Sequence, residues 1–237
     1  MKILIAIPAY NEEKIIEASL KQLADFCRAN LSDDWQIVVA DNKPVDRTGE
    51  LVKEIAKNNF RIIYYPVAQK GKGLAIRSAW QKFPADIYCF MDADLSTDLS
   101  ALPELINAIK EGHYDLAVGS RFVKGAIVKR TILRKIFSRG YRLVIRCLLS
   151  LKVKDAPCGF KAISQIAKEK LLPQVKNNQW FFDTELLVLA QYQGFKIKEI
   201  PVIWREIKPA GRTSQVRIFS LTKNYLREVY QLRKRLK

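Results

Sequence analysis

Short apolar runs alternate with amphipathic stretches along the first half of the chain. Each apolar run is rich in β-branched or aromatic residues and is bounded by polar positions, a pattern typical of buried strands. The stretches between them repeat apolar residues at helical spacing. The predicted strands are 3–7, 36–40, 61–65, 87–91 and 116–118, and the predicted helices are 12–28, 46–58, 73–83 and 99–110.

This alternation predicts an α/β fold with a mostly parallel sheet flanked by helices. In such sheets, ligands bind beyond the carboxyl ends of the strands. Asp41 follows the strand 36–40, and Asp92 follows the strand 87–91. The two carboxylates are therefore expected in one crevice.

The second half of the chain is predicted to contain two basic amphipathic helices. In the stretch 129–151, basic side chains recur at i, i+4, i+7 and i+11, as Lys135, Arg139, Arg142 and Arg146. The stretch 218–237 is a second basic helix. Between them, 180–193 reads as a helix and 196–203 as a strand.

The length of 237 residues and the hydrophobic content of 49% suit one α/β domain, here assigned to 1–204. Residues 205–237 form a basic C-terminal segment. The net charge of +17 is concentrated, since 116–154 carry +11 without an acidic residue and 205–237 carry +8. Such patches attract phosphate, anionic lipid or nucleic acid.

The basic stripe on 129–151 has two interpretations. It fits an ordinary solvated helix face, or a helix lying in a membrane interface with its cations at the headgroups. Solvated faces usually mix both signs of charge, so the absence of acidic residues favours the membrane interpretation.

Composition excludes several other classes of protein. His113 is the only histidine, which argues against a histidine-based triad or a multi-histidine zinc site. The four scattered cysteines suggest reduced thiols. Neither a signal peptide nor an apolar run of membrane-spanning length is visible. We therefore expect a cytoplasmic protein that associates peripherally with the membrane.

The pair Asp92 and Asp94 carries the most specific chemistry. A strand that ends in Asp-x-Asp brings two carboxylates to the sheet edge, where oxygen ligands suit Mg²⁺ or Mn²⁺. The alternative is structural, with Asp94 or Ser96 capping the helix predicted from Leu99. The nearby segment Lys70–Gly73 lacks the spacing of known phosphate loops, so on spacing alone it is a flexible loop before a helix.

Several ordered motifs resemble those of family 2 glycosyltransferases with the GT-A fold, which is Rossmann-like. Residues 8–13 (PAYNEE) resemble the opening P-x-Y-N-E turn. Asp41, Asp46 and Thr48 match a D-D-G-S-x-D-x-T segment, from which Asn42, Lys43 and Pro44 depart. Residues 92–94 match the metal-binding D-x-D, and 119–121 match a G-S-R segment.

Further motifs are similar to those of polyprenyl-phosphate glycosyltransferases. Arg134 and Ser138 match R-x-x-x-S, and residues 155–161 (DAPCGFK) match D-x-x-x-G-F-[RK]. Residues 180–185 (WFFDTE) and 199–206 (EIPVIWRE) resemble dolichyl-phosphate β-glucosyltransferases more than the mannosyl enzymes.

This resemblance implies an inverting, metal-dependent transfer of glucose from UDP-glucose to a polyprenyl phosphate at an anionic membrane. It assigns 1–120 to the nucleotide sugar and 121–204 to the acceptor. Asp92 and Asp94 would hold Mg²⁺ or Mn²⁺, while Arg121 adds positive charge and Asp183 or Glu185 orients the acceptor or acts as a base. The remaining implied residues are Pro8, Tyr10, Glu12, Asp41 and Lys72 for the nucleotide sugar, and Arg134, Ser138 and Arg212 for the acceptor phosphate.

Four alternatives stay open. A glycosyltransferase with a soluble saccharide or other hydroxyl acceptor would share the D-x-D site, and so would a GDP-mannose-using polyprenyl-phosphate mannosyltransferase. A nucleotidyltransferase would share the sheet, but the expected Gly-rich, Arg-containing loop after the first strand is missing. A nucleic-acid-binding protein would explain the sequence pI near 9.8 but leaves the D-x-D motif without a role, so no nucleic-acid partner is expected.

Overall fold

A seven-stranded, mostly parallel sheet organises the part of the chain that the structure describes. The structure is a computed structural model and describes residues 1–43, 45–129, 132–205 and 218–236, with side chains at all of these except 129, 132–137, 139 and 218–224. The strands are β1 (Lys2–Ala9), β2 (Asp34–Asn42), β3 (Ile62–Val67), β4 (Ile87–Met91), β5 (Leu116–Ser120), β6 (Ile127–Lys129), β7 (Phe160–Ser164), β8 (Ile197–Pro201) and β9 (Ile203–Arg205).

Helices flank both faces of the sheet. They are α1 (Ile16–Asn30), α2 (Thr48–Asn58), α3 (Lys72–Lys82), α4 (Leu102–Lys110), α5 (Ile132–Leu149), α6 (Gln165–Leu171), α7 (Phe182–Tyr192) and α8 (Ile218–Arg235). Single turns of 3-10 helix precede α4 at Leu99–Ala101 and follow α6 at Leu172–Gln174.

The strand order is β3-β2-β1-β4-β7-β5-β8, and the predicted parallel pairing is confirmed with one exception. Strand β7 runs antiparallel to both β4 and β5. The sequence did not predict β7. Its five residues lie after a loop, outside the regular alternation of strands and helices that marks the first half of the chain. Since β7 runs in reverse, its amino end lies at the carboxyl edge of the other strands.

The stretch predicted as one strand over 196–203 forms two strands in different sheets. Strand β8 extends the main sheet beside β5, and β9 pairs with β6 in a separate two-stranded sheet. Pro201 ends β8, because proline has no N–H to donate to a sheet. The chain then leaves the main sheet at this residue.

Alternating residues of the central strands feed two apolar cores. One face of β1 places Leu4 and Ala6 against α3 and α7, and the other places Ile3 and Ile5 against α1 and α4. Val229 and Leu232 of α8 belong to the first core. The described part of the basic C-terminal segment thus packs against the domain, and the boundary at 204 stays a prediction.

The predicted helix 129–151 is observed as α5, which begins three residues later and ends two residues earlier. Of its basic stripe, Arg142 and Arg146 lie within the described side chains, and Lys135 and Arg139 lie outside them. None of the helices in the described ranges has the combination of length and apolar character that crossing a membrane requires.

Candidate functional site

The predicted site residues of the first half converge at one edge of the sheet. Strands β1, β2, β4 and β5 are mutually parallel, so the loops that follow them share this edge. The register pairs Ala9 of β1 with Asp41 of β2, and Asp92 follows directly after β4. This arrangement places Tyr10, Asp41 and Asp92 at the same edge of the sheet.

A chain of alternating charges begins at Asp92 and continues into the interior. Lys72 Nζ lies 2.9 Å from Asp92 Oδ1 and 3.4 Å from Asp183 Oδ2. Lys161 Nζ lies 2.9 Å from Asp183 Oδ1 and also donates to the Cys158 carbonyl. Both ammonium groups stand near the Phe90 ring, and Lys72 is also 5.1 Å from the Trp180 ring centroid. These contacts connect two helices, α3 and α7, and the strand β7 to the site.

Burial by itself would lower the pKa of Lys72, but the carboxylates of Asp183 and Asp92 outweigh it and raise that pKa. Lys72 therefore carries a full positive charge beside Asp92 at neutral pH. A fixed ammonium of this kind attracts phosphate oxygens.

Asp183 and Glu185 are both buried and both engaged by protein groups. The two oxygens of Asp183 face Lys72 and Lys161. Glu185 accepts hydrogen bonds from the backbone N–H groups of Lys176 and Asn177, at 3.1 and 2.7 Å, and pairs with Arg235 at 2.5 Å. Neither contact pattern leaves a carboxylate open to a substrate hydroxyl, so the geometry favours a positioning role over a base.

The D-x-D carboxylates have different surroundings. The Asp92 side chain is 44% exposed and lies so close to Gly159 that a Cβ there would overlap the carboxylate. Asp94 Oδ1 accepts from the N–H and hydroxyl of Ser96, at 3.0 and 2.7 Å. Asp98, rather than Asp94 or Ser96, caps the 3-10 turn at Leu99. The structural alternative of the sequence analysis therefore placed the helix cap on the wrong residue.

The donor set fits a hard divalent cation. Two carboxylates one residue apart stand at the exposed sheet edge, and Mg²⁺ or Mn²⁺ bound by few protein ligands takes the rest of its oxygens from phosphate and water. Within the described residues there is no cluster of three or more His, Cys, Asp or Glu side chains that could bind a metal alone.

Arg121 is held by Asp155 in a buried two-pronged ion pair. Its Nε and NH2 groups donate to the two carboxylate oxygens at 2.7 Å each, and its backbone N–H donates to Oδ2 at 2.8 Å. Asp155 is fully buried. This pair attaches the end of β5 to the loop before β7, and it fixes the guanidinium in the neighbourhood of Asp92.

At the other end of the crevice, Asp41 is fully buried in β2. Tyr64 Oη donates to Asp41 Oδ2 at 3.1 Å. Burial raises the pKa of Asp41, and the hydrogen bond from Tyr64 opposes this effect. Burial, with the charge of Asp41, also raises the pKa of Tyr64 to about 12. The next residue, Asn42, accepts from the Gly71 N–H at 2.6 Å and so holds the loop before α3.

The P-x-Y-N-E turn and the loop after β2 are joined by hydrogen bonds. Thr48 Oγ1 accepts from the Glu12 N–H at 2.9 Å, and Asp46 accepts from the N–H groups of Glu13 and Thr48. Pro8 lies in β1 opposite Ala40, and Lys70 Nζ stacks 3.9 Å from the Tyr10 ring centroid. These contacts shape the wall of the crevice near Asp41.

A small pocket opens between α5 and the loop before β7. It contains Ser138, Arg142 and Lys154, and Arg142 stacks over the Phe122 ring at 5.0 Å. Ser138, which the resemblance implies for the acceptor phosphate, lines this pocket. The Arg134 side chain and Arg212 lie outside the described residues.

Asp155, Gly159 and Lys161 belong to the motif at 155–161, for which the sequence predicted no individual roles. The structure shows that the reversed strand β7 brings all three beside Asp92, Arg121 and Asp183. Tyr64 was part of a predicted strand and carried no signal of its own. In the sheet, Asp41 pairs with Pro66, and Tyr64 lies two residues before Pro66 on β3. This position brings the Tyr64 side chain to Asp41.

Known proteins are similar to this chain over most of its length. Glycosyltransferase AglD of Haloferax volcanii is 35% identical over 215 residues, which are 90% of this chain and 34% of that protein. The dolichyl-phosphate beta-glucosyltransferase of Saccharomyces cerevisiae is 29% identical over 86% of this chain and 66% of its own length. The chain therefore spans about a third of the length of the first relative and about two thirds of the length of the second.

The fold is also that of a solved structure. Glucosyl-3-phosphoglycerate synthase from Mycobacterium tuberculosis, determined with uridine diphosphate, superposes with a TM-score of 0.72 at 16% identity, over 98% of this chain and 80% of that one. The family model described as glycosyl transferase family 2 matches residues 4–172, which confirms the resemblance drawn from the motifs. The chain belongs to glycosyl transferase family 2.

Proposed function

We propose that the protein transfers a sugar, glucose from UDP-glucose in the first instance, to a polyprenyl phosphate. The observation that carries this proposal is the meeting of Asp92, Lys72 and Arg121 at the carboxyl edge of the sheet, next to a basic acceptor pocket. The relatives named above, one of which is a dolichyl-phosphate beta-glucosyltransferase, support the choice of acceptor and sugar.

The donor would lie across the crevice, with its base at Asp41 and its diphosphate at Asp92. Asp92 and Asp94 would hold Mg²⁺ or Mn²⁺, which stabilises the negative charge that develops on the leaving diphosphate. The Lys72 ammonium stands 2.9 Å from Asp92 and adds fixed positive charge at the same place. Arg121 acts from the other side, with Asp155 holding its orientation.

The acceptor phosphate would occupy the pocket beside α5. Arg142, Lys154 and the Ser138 hydroxyl line this pocket, and both cations suit a phosphate monoester. Such a phosphate has its second pKa near 6. It is therefore mostly ionised at neutral pH and attacks without a general base, in agreement with the engaged state of Asp183 and Glu185. Its oxygen forms the new bond to the anomeric carbon as the bond to the diphosphate breaks, with inversion to a β-linked product.

The membrane would contact the face formed by α5 and α8. On α5, Leu143 and Leu148 are exposed beside Arg142 and Arg146, and on α8 Leu226 and Tyr230 are exposed beside Arg227. The two helices pack against each other through Tyr141 and Tyr225, whose ring centroids are 5.2 Å apart. Exposed apolar side chains interleaved with arginine suit an anionic lipid interface.

A transfer assay tests the proposed function. The purified protein is incubated with Mn²⁺ and each of several UDP- and GDP-sugars, with and without a short-chain polyprenyl phosphate, and the lipid product is analysed by mass spectrometry and NMR. We expect β-linked glucosyl lipid from UDP-glucose, and a loss of at least about 100-fold in rate for Asp92→Asn.

Transfer from GDP-mannose in place of UDP-glucose would move the assignment to a mannosyltransferase. Transfer only to a saccharide would replace the lipid acceptor with a hydroxyl. A product of retained α configuration would rule out single displacement, and wild-type rates in Asp92→Asn would refute the metal assignment.

A further inference from the structure

We infer that Tyr64 is a positioning residue that makes the base site selective for uracil. Its hydroxyl engages one oxygen of the Asp41 carboxylate and leaves the other to accept the single ring N–H of the base. This inference rests on the proposed function, because it requires a nucleoside diphosphate to bind with its base at Asp41.

The two oxygens of Asp41 have different surroundings. Oδ2 accepts a hydrogen bond from Tyr64 Oη at 3.1 Å. Oδ1 is buried and has no hydrogen-bond partner among the described residues. A buried acceptor without a donor is costly, and folded proteins seldom leave one unless a ligand or water completes it. Because Oδ1 lies beneath the surface, the base reaches it only when covering side chains move aside.

The surroundings of Tyr64 fix its hydroxyl at this place. Strand β3 pairs with β2 so that Tyr64 is opposite Val39, two residues before Asp41. At Gly49, near the start of α2, an added Cβ would lie 2.5 Å from Tyr64 Oη. Lys53 Nζ stands 4.9 Å from the centre of the ring. The hydroxyl thus occupies space that any larger residue at position 49 would take.

The hydrogen-bonding pattern of the bases turns this arrangement into selectivity. Uracil presents one N–H between two carbonyl groups, which suits one carboxylate oxygen. Guanine presents a ring N–H and an amino N–H side by side, which suit both oxygens of a carboxylate. With Oδ2 already accepting from Tyr64, the second guanine donor would have to share that oxygen, and two donors that share one carboxylate oxygen are each bound more weakly than a donor that has an oxygen to itself. The single N–H of uracil has Oδ1 to itself, so the arrangement favours uracil.

Electrostatics act in the same direction. The groups that bear on Asp41 are Tyr64 from β3, Asp46 from the loop after β2 and the backbone N–H of Asn42. Burial and the charge of Asp46 raise the pKa of Asp41, whereas the Tyr64 hydrogen bond and, to a smaller extent, the Asn42 N–H lower it. Because Tyr64 lowers the pKa of Asp41, the carboxylate stays ionised at pH values at which burial alone would protonate it. In its ionised form it accepts a hydrogen bond from the ring N–H of the base.

Nucleotide binding by titration calorimetry tests the inference, with UDP and GDP measured in Mn²⁺ across a range of acidic to neutral pH. The wild type should bind UDP more tightly than GDP. In Tyr64→Phe the ratio of the two affinities should fall roughly tenfold, the effect of one ordinary hydrogen bond. On lowering the pH, the variant should also lose UDP binding at a higher pH than the wild type does, because its Asp41 protonates earlier.

Tyr65→Phe is the matched control, since Tyr65 is the next residue of β3 and packs against Phe83 in the first core, with ring centroids 5.5 Å apart. It should keep the wild-type ratio. Gly49→Ala is an independent second variant that retains the tyrosine but displaces its hydroxyl, and it should lower the ratio as Tyr64→Phe does.

An unchanged UDP-to-GDP ratio in both Tyr64→Phe and Gly49→Ala, with UDP still bound, would overturn the inference and leave the proposed function intact. A wild type that binds GDP more tightly than UDP would overturn the inference as well. A wild type that binds neither nucleotide would refute the proposed function itself.

Discussion

At the scale of single residues, the site depends on side chains that orient one another before any substrate arrives. Asp92 is held by Lys72, Arg121 by Asp155, and Asp41 by Tyr64. Each pair joins a residue at a strand end to a partner from a different element. The sequence predicted both members of the first pair, Asp92 and Lys72, and one member of each of the other two, Arg121 and Asp41. Asp155 and Tyr64 had no predicted role until the fold placed them beside Arg121 and Asp41.

Gly159→Ala should abolish most of the activity with little effect on stability. The new Cβ would overlap the Asp92 carboxylate, and Asp92 is exposed enough to move away. A displacement of about 1 Å in a catalytic group costs roughly 100-fold in rate. The rate is measured with UDP-glucose and polyprenyl phosphate, and stability by thermal unfolding.

Gly140→Ala serves as the control, because no atom lies within 4 Å of a Cβ at that exposed position of α5. Its rate and melting temperature should stay near those of the wild type. Full activity in Gly159→Ala would show that the position of Asp92 is unimportant.

At the scale of elements, periodicity located most strands and helices of the first half to within a few residues. It missed β7 and joined β8 to β9, because strand direction and sheet membership depend on pairing partners that a local pattern does not contain. Helix α7 shows the same limit. Its first turn carries Asp183 and Glu185, which pair with the buried Lys161 of β7 and Lys72 of α3 and with the partly exposed Arg235 of α8.

Arg235→Ala should loosen the attachment of α8. Arg235 pairs with the buried Glu185 and also donates to the Gln174 carbonyl at 2.7 Å. Losing a hydrogen bond to a buried charge costs about 1.5–3 kcal/mol, although the two backbone N–H donors of Glu185 remain. Urea denaturation should therefore show a free energy of unfolding lower by that amount.

Arg233→Ala is the matched control on the same helix turn, where the side chain is exposed and a substitution changes stability by about 0.5 kcal/mol or less. Equal effects of the two substitutions would mean that the Glu185 pair does not hold α8 in place.

At the scale of the whole molecule, the charge is divided between two regions. The sheet edge that would bind the nucleotide alternates acidic and basic groups, whereas α5 and α8 carry a large share of the net charge of +17. Both helices pack against the same core as α3 and α7. A membrane bound by this face would thus lie next to the proposed acceptor pocket and not against the proposed base site.

Neutralising Lys135, Arg139, Arg142 and Arg146 with glutamine should weaken binding to vesicles of anionic lipid. Each basic residue near such a surface contributes about 1 kcal/mol. Sedimentation with vesicles containing phosphatidylserine measures the effect, which should diminish as the salt concentration rises.

The control removes the same amount of charge elsewhere, by changing the exposed residues Lys14, Lys21, Lys53 and Lys57 to glutamine. A loss of vesicle binding as large in this control as in the α5 variant would contradict the assignment of the membrane-facing surface to α5.

The sequence by itself determined the alternation of strands and helices, the placement of Asp41 and Asp92 at strand ends and the location of the positive charge. These properties are local, because periodicity and motif spacing are read from neighbouring residues. The tertiary structure alone decided the reversal of β7, the pairing of Lys72 and Lys161 around Asp183, and the hold of Tyr64 on Asp41. Each of these joins residues more than 20 positions apart, and only the packed sheet brings them within hydrogen-bonding distance.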